Sequence, residues 1–150
     1  MELNATSAVT ERLRRASLGS VFALLIQYGL GIGVNLYVTV PDADQGKGVG
    51  AAFGKAISNG PAGLAVHTVI GLLLIVNVIV VFVQALRTRL PVVLVSSLVG
   101  LLSVLGAAFS GAKFVDSGTN SASMTMAILT GVALACYALN LYVLGGRRTR

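Results

Sequence analysis

Four long stretches of the chain carry no Asp, Glu, Lys or Arg: Leu18–Val40, Ala62–Leu86, Leu90–Ala112 and Ser121–Gly146. Each reaches or exceeds the roughly 20 residues that a helix needs to cross a hydrocarbon core about 30 Å thick. Apolar and polar residues do not alternate within them; Ile70–Val83 is apolar apart from Gly71 and Asn77. Lipid tolerates only helices or closed barrels, because every backbone donor and acceptor must find an internal partner, and barrel strands would alternate. The pattern therefore predicts an all-α protein with spans over about 17–40, 62–87, 90–112 and 121–145.

The links between these runs set the topology. Pro41 ends the first span, because proline disfavours helix in the residue before it. The segment 41–61 is rich in glycine and small residues and reads as an external loop, with Val49–Ser58 forming a short surface helix that turns Phe53 inward. Pro61 and Pro91 suit helix starts, where a missing N–H costs nothing. Thr88 and Arg89 make so short a link that the second and third spans must be antiparallel neighbours. Phe114–Asn120 reads as a polar external link. The expected architecture is one transmembrane four-helix bundle, up-down-up-down, over residues 17–146. A polar segment, 1–16, with a short interfacial turn at Glu11–Arg15, precedes it, and a basic tail, 147–150, follows. The first span reads as an uncleaved signal anchor, since its apolar run exceeds that of a signal peptide.

Composition agrees. Of 150 residues, 55% are hydrophobic and 11% charged, against about a quarter charged in soluble domains. The net charge of +6 raises nucleic acid as a partner, but the position of the charges argues against it. Arg12, Arg14, Arg15, Arg87, Arg89, Arg147, Arg148 and Arg150 all fall on one side of a four-span chain. Lys47, Lys55 and Lys113 fall on the other and are balanced there by Asp42, Asp44 and Asp116. That is the positive-inside bias, which puts both termini in the cytoplasm, as expected of a multi-pass plasma-membrane protein. The arginines would meet anionic headgroups of the bilayer.

Helices in lipid associate through small residues and interhelical hydrogen bonds. Candidates are Gly29-x-x-x-Gly33 on the first span, and Ser96-x-x-x-Gly100 and Ser103-x-x-x-Ala107-x-x-x-Gly111 on the third. The fourth carries Ala127-x-x-x-Gly131-x-x-x-Ala135. All are read as intramolecular contacts in preference to homodimer contacts. Gln27 and Asn77 each lie about 13 Å from the cytoplasmic end of their spans, counted at 1.5 Å per residue, and are expected to meet or share a partner. Gln84 continues that polar stripe, and Asn140 approaches it from the fourth span.

His67 is the only histidine, and it lies inside a span. An ionisable residue there is a functional candidate. At similar depth stand Asn35, Ser110, Met124 and Met126. A neutral imidazole with one or two thioethers suits copper(I), and a His/Met pair also suits haem. Against both stands the plainer reading, a neutral histidine hydrogen-bonded across the bundle.

Other chemistry is weak. Asp42-Ala-Asp-Gln-Gly-Lys-Gly lacks the oxygen ligands that a calcium loop needs at its fifth and twelfth positions. Gly29-Leu-Gly-Ile-Gly has the wrong spacing for a dinucleotide fingerprint. Cys136 is the lone cysteine, which excludes an internal disulfide. No span holds a carboxylate for a proton relay. Asn-Leu-Tyr-Val occurs at both Asn35 and Asn140, in opposite leaflets, a match short enough to arise by chance.

The segments Asn35-Leu-Tyr-Val-Thr-Val-Pro41, His67-Thr-Val-Ile-Gly71 and Gly111-Ala-Lys-Phe through Met126-Ala resemble a group of small four-span actinobacterial membrane proteins. The likeness covers most of the chain and implies the four-span architecture, with no activity attached to it. The functional expectation is a non-catalytic membrane subunit or scaffold, acting with a membrane protein partner or as a homo-oligomer. A haem- or copper-binding protein using His67 with Met126 or Met124 comes second, and a small oligomeric transporter third.

Overall fold

A computed structural model describes residues 2–37 and 48–146. The described residues form five helices: α1 (Glu2–Tyr37), α2 (Val49–Ser58), α3 (Ala62–Leu86), α4 (Pro91–Ser117) and α5 (Asn120–Gly145). Four of them are long and apolar enough to cross a membrane, the first over Ala8–Tyr37. The chain is an all-α, multi-pass membrane protein built as a four-helix bundle.

The long helices close a ring in the order α1, α3, α4, α5, with α1 also packed on α5. Contacting residues run in opposite directions along each neighbouring pair. Ser20 meets Asn77 and Gln27 meets His67 between α1 and α3, Ser96 meets Asn140 between α4 and α5, and Asn35 meets Ser123 between α1 and α5. The short links enforce this. Between α3 and α4, Thr88 Oγ1 donates to Ala85 O (2.8 Å), and Arg89 takes a positive φ of 53° to turn the chain. Gly118, at φ 64°, caps α4 in the left-handed conformation that glycine adopts without steric cost.

Two boundaries differ from the expectation. α1 starts near the beginning of the chain instead of at residue 17, so the separate interfacial turn at Glu11–Arg15 is replaced by continuous helix. Glu11 pairs with Arg15 at 3.0 Å one turn on, and Leu13 and Ser17 are fully buried in the bundle. Packing thus carries the helix beyond the apolar run. α4 runs on through Ser117, so the expected link 114–120 shrinks to Gly118 and Thr119. The added turn is held by α2, because Ala112 and Val115 join Ala52 and Ala56 in one apolar cluster, and Gly48 N donates to Asp116 Oδ1 (3.0 Å). α2 itself occupies 49–58 as expected and packs on α3 and α4, with Phe53 turned to that cluster. Pro41, the loop acids Asp42 and Asp44, and the basic tail at 147–150 lie outside the described residues.

The interior has two parts. Toward the end that carries Arg12, Arg87 and Arg89 it is solid, with Leu13, Leu74, Val78, Val81, Val93, Tyr137 and Leu144 in one cluster. Toward the α2 end, a smaller cluster of Val34, Ala52, Ala56, Leu64, Ala112 and Val115 closes the bundle. Outward-facing positions are apolar: Phe22, Leu73, Val76, Val95, Leu102 and Phe109 are each more than half exposed, as a lipid-facing surface requires.

Small residues decide which helices approach closely. Gly100 lies under the fully buried ring of Tyr137, and a Cβ there would stand 2.8 Å from Cζ. Gly106 and Gly111 receive Leu129 and Met126 in the same way. The expected motifs of α4 therefore pack within the bundle. Two others do not. A Cβ on Gly29, Gly33 or Gly131 would meet nothing within 4 Å, and Gly131 and Ala135 are exposed. Gly29, Gly33, Gly131 and Ala135 face outward, contrary to the intramolecular expectation, while Ala127 at the start of the α5 motif lines an interior wall.

Candidate functional site

Between the two apolar clusters lies a cavity of ≈ 190 Å³, walled by all five helices. Its floor includes Leu24, Leu74 and Val104, and its α2-end roof includes Ala52, Phe53, Ala56 and Leu64. No Lys, Arg, Asp or Glu is among the described residues that line it. The polar wall comes from Gln27 and Asn35 of α1, His67 and Thr68 of α3, and Ser123 and Thr130 of α5.

Gln27 and His67 form its centre. Gln27 Nε2 donates to the carbonyl oxygen of His67 (2.9 Å) and lies 3.2 Å from the ring Nε2 of the same residue. Two acceptors would repel, so the contact with the carbonyl fixes the amide with its nitrogen toward α3. The second amide hydrogen then points to the imidazole, whose Nε2 must accept it. The ring is therefore neutral and carries its proton on Nδ1. Neither remaining polar atom has a partner: Gln27 Oε1 and His67 Nδ1 are both buried and unbonded. A buried polar group left unpaired costs about 1–3 kcal/mol.

Glycines make the pair possible. A Cβ on Gly71 would stand 3.0 Å from Gln27 Nε2, and one on Gly31 would stand 3.2 Å from His67 Cε1. Gln27 and Gly31 are four apart on α1, and His67 and Gly71 are four apart on α3. Residues four apart share a helix face. In this antiparallel pair each helix thus offers a polar side chain and, one turn on, a space for the other's.

The other expected polar residues find different partners. Asn77 does not meet Gln27; its amide donates to Ser20 Oγ (2.8 Å). Both asparagine and glutamine lie on α3–α1 contacts, but at separate levels, because serine on α1 reaches Asn77 first. Gln84 is not joined to either of them, and its Oε1 is buried without a partner. Asn140, fully buried, bonds within the α4–α5 contact, accepting from Ser96 Oγ and donating to Ser97 Oγ (2.9 Å). Asn35 accepts from Ser123 Oγ (3.1 Å) at the cavity rim.

Of the soft ligands considered, Met126 lines the cavity and Met124 does not. Met124 is 67% exposed, turned to the outside by the pitch of α5. Ser110 is buried on α4 but is not part of the cavity wall. Among the described residues no group of three or more His, Cys, Asp or Glu is placed to hold a metal ion. An apolar cavity of about 150 Å³ accommodates benzene, so this one is far too small for a porphyrin, and it has no cation for the propionates.

Sequence reasoning missed Thr68, Ser123 and Thr130 as wall residues, and Gly31 and Gly71 as the spaces that admit the pair. The matched four-residue spacings Gln27/Gly31 and His67/Gly71 were the available signal. No family model matches the chain, and searches of curated proteins and of solved structures find no match either.

Proposed function

We propose that this protein is a non-catalytic subunit or scaffold of the bacterial plasma membrane, with both termini in the cytoplasm, that works through helix contacts with a membrane partner. The observation that carries this reading is the outward direction of Gly29/Gly33 on α1 and Gly131/Ala135 on α5. Small residues let helix backbones approach closely in lipid, where apolar burial supplies no drive. Four such positions turned away from the bundle suit a neighbouring helix. The arginines at the start of α1 and in the α3–α4 link support the orientation.

The test is Gly33→Leu and Gly131→Leu, at positions where a Cβ meets nothing in the bundle. Complexes isolated in mild detergent should shrink to the bare subunit in these variants, with thermal stability unchanged. Complexes of unaltered size would overturn the reading.

A second reading, copper(I) binding, draws on His67 and Met126 lining one cavity. Haem, the other cofactor considered, is disfavoured by the cavity's size.

A further inference from the structure

The cavity is closed at both ends and open along one side. At its floor Leu24, Leu74 and Val104 belong to the solid core, and at its roof Ala52, Ala56 and Leu64 are buried. Of the described residues in its wall, three are exposed, and all three lie on α1: Tyr28, Ile32 and Asn35. Spaced at i, i+4 and i+7, they form one stripe along that helix. Asn35 accepts from Ser123 of α5 (3.1 Å), so the stripe borders α5. Facing it in this antiparallel pair are Ser123, Ala127 and Thr130, at the same spacing. Outside this seam the neighbouring positions Leu25, Leu36, Met124 and Ile128 are exposed and apolar. What lies against the opening is therefore the hydrocarbon of the bilayer, whose tails are as apolar as leucine.

The dimensions match a lipid tail. The wall runs from Leu24 to Asn35 on α1, from Leu64 to Leu74 on α3 and from Val104 to Val115 on α4. At 1.5 Å per residue that is about 15 Å, half of a hydrocarbon core about 30 Å thick. The cavity is as deep as one leaflet. At ≈ 190 Å³, it exceeds the roughly 150 Å³ that admits a benzene ring. No Lys, Arg, Asp or Glu is among the described wall residues, so a charged headgroup would enter without compensation. The polar pair of the seam, Asn35 and Ser123, stands at its α2 end, two residues from the exposed Tyr37. Tyrosine marks the membrane interface, where a lipid carries its ester groups. We propose that the seam between α1 and α5 admits one acyl chain of a bilayer lipid, which fills the cavity with its ester end near Asn35 and its methyl end near Leu24. An empty cavity forfeits the dispersion contacts of its lining, and a chain restores them. The inference needs the protein to span a bilayer but not the partner contacts proposed above, because Gly29, Gly33 and Gly131 are outside the wall.

The experiment uses the full chain in phosphatidylcholine nanodiscs, deuterated except at its Leu and Val methyls. Leu73 and Leu102, both more than half exposed, should show nuclear Overhauser contacts to acyl methylene protons and serve as internal controls. Leu74 and Val104, each 4% exposed, lie on the cavity floor, away from the surrounding lipid. They should show the same contacts, because a chain inside the bundle reaches them. Ala127→Phe, which closes the seam, should remove the acyl contacts of Leu74 and Val104 and leave those of Leu73 and Leu102. Ile128→Phe, at an exposed position of the same helix outside the wall, should change neither pair. Should Ala127→Phe fail to fold, the spectra of the unaltered protein decide alone. Contacts of Leu74 and Val104 to water in place of acyl protons, or to neither, would overturn the proposal. So would acyl contacts that survive in a folded Ala127→Phe protein, since the chain would then enter elsewhere.

Discussion

At the scale of single residues, the bundle is held by shape as much as by polarity. The ring of Tyr137 lies where a side chain on Gly100 would have to be. Gly100→Ala should therefore lower stability by about 1–3 kcal/mol through overpacking. Gly131→Ala, where a Cβ meets nothing, should stay within about 0.5 kcal/mol of the parent. Thermal unfolding of both variants in nanodiscs checks the contrast, and equal losses would mean that α4 and α5 do not approach as closely as described. Polar residues act in the same local way. Asn35 and Asn140 begin the two copies of Asn-Leu-Tyr-Val, and each bonds a serine of a neighbouring helix. Two residues on, Tyr37 and Tyr142 are 86% and 82% exposed, at opposite ends of the bundle. Tyrosine suits both membrane interfaces, where one end of the ring is apolar and the other wet. The repeated tetrapeptide thus divides its labour identically in the two leaflets.

At the scale of elements, α2 is the part whose position is least supported by its own sequence. Ten residues are too few for an isolated stable helix, so its order comes from packing. Ala52 and Ala56, one turn apart, fit against α3 and α4, and the Gly48 N–H to Asp116 bond ties its start to the last turn of α4. Asp116→Ala should speed hydrogen exchange across residues 49–58 and the end of α4, while exchange in the middle of α3 stays unchanged. Mass-spectrometric exchange on the nanodisc-embedded protein reads this directly; unaltered exchange in α2 would show that the apolar cluster alone holds it. The α1–α3 contact is the counterpart at the other wall of the cavity. Its two polar bridges, Ser20–Asn77 and Gln27–His67, are each worth about 0.6–2 kcal/mol in lipid.

At the scale of the whole molecule, charge and packing divide along the same axis. The arginines mark the solid end, and Lys55, Lys113 and Asp116 mark the end where α2 covers the cavity. If the arginine-bearing end is cytoplasmic, the cavity lies nearest the outer leaflet. In a Cys136→Ser background, Lys55→Cys should react with a membrane-impermeant maleimide on intact cells, and Arg89→Cys only after lysis. The reverse pattern would turn the molecule over and put the cavity on the cytoplasmic side.

The count of spans, their helical character and their antiparallel order were legible in the sequence because they depend on length, charge placement and backbone bonding in lipid, which are properties of each segment alone. The short helix at 49–58 was expected within a loop of small residues, but its order comes from the packing of Ala52 and Ala56 on α3 and α4. Helix ends were less legible: α1 and α4 both outrun their apolar stretches, since Leu13 and Val115 are ordered by other helices. The site was legible in its members but not in its pairings. His67, Gln27, Asn35 and Met126 were recognisable by type. Counted from residue 17, Gln27 stood level with Asn77, but α1 starts earlier and the bundle sets Gln27 level with His67, leaving Asn77 to Ser20. Helix rotation, decided by which small residues accept which large ones, put Met126 on the cavity wall. It also turned Met124 and two glycine stripes outward.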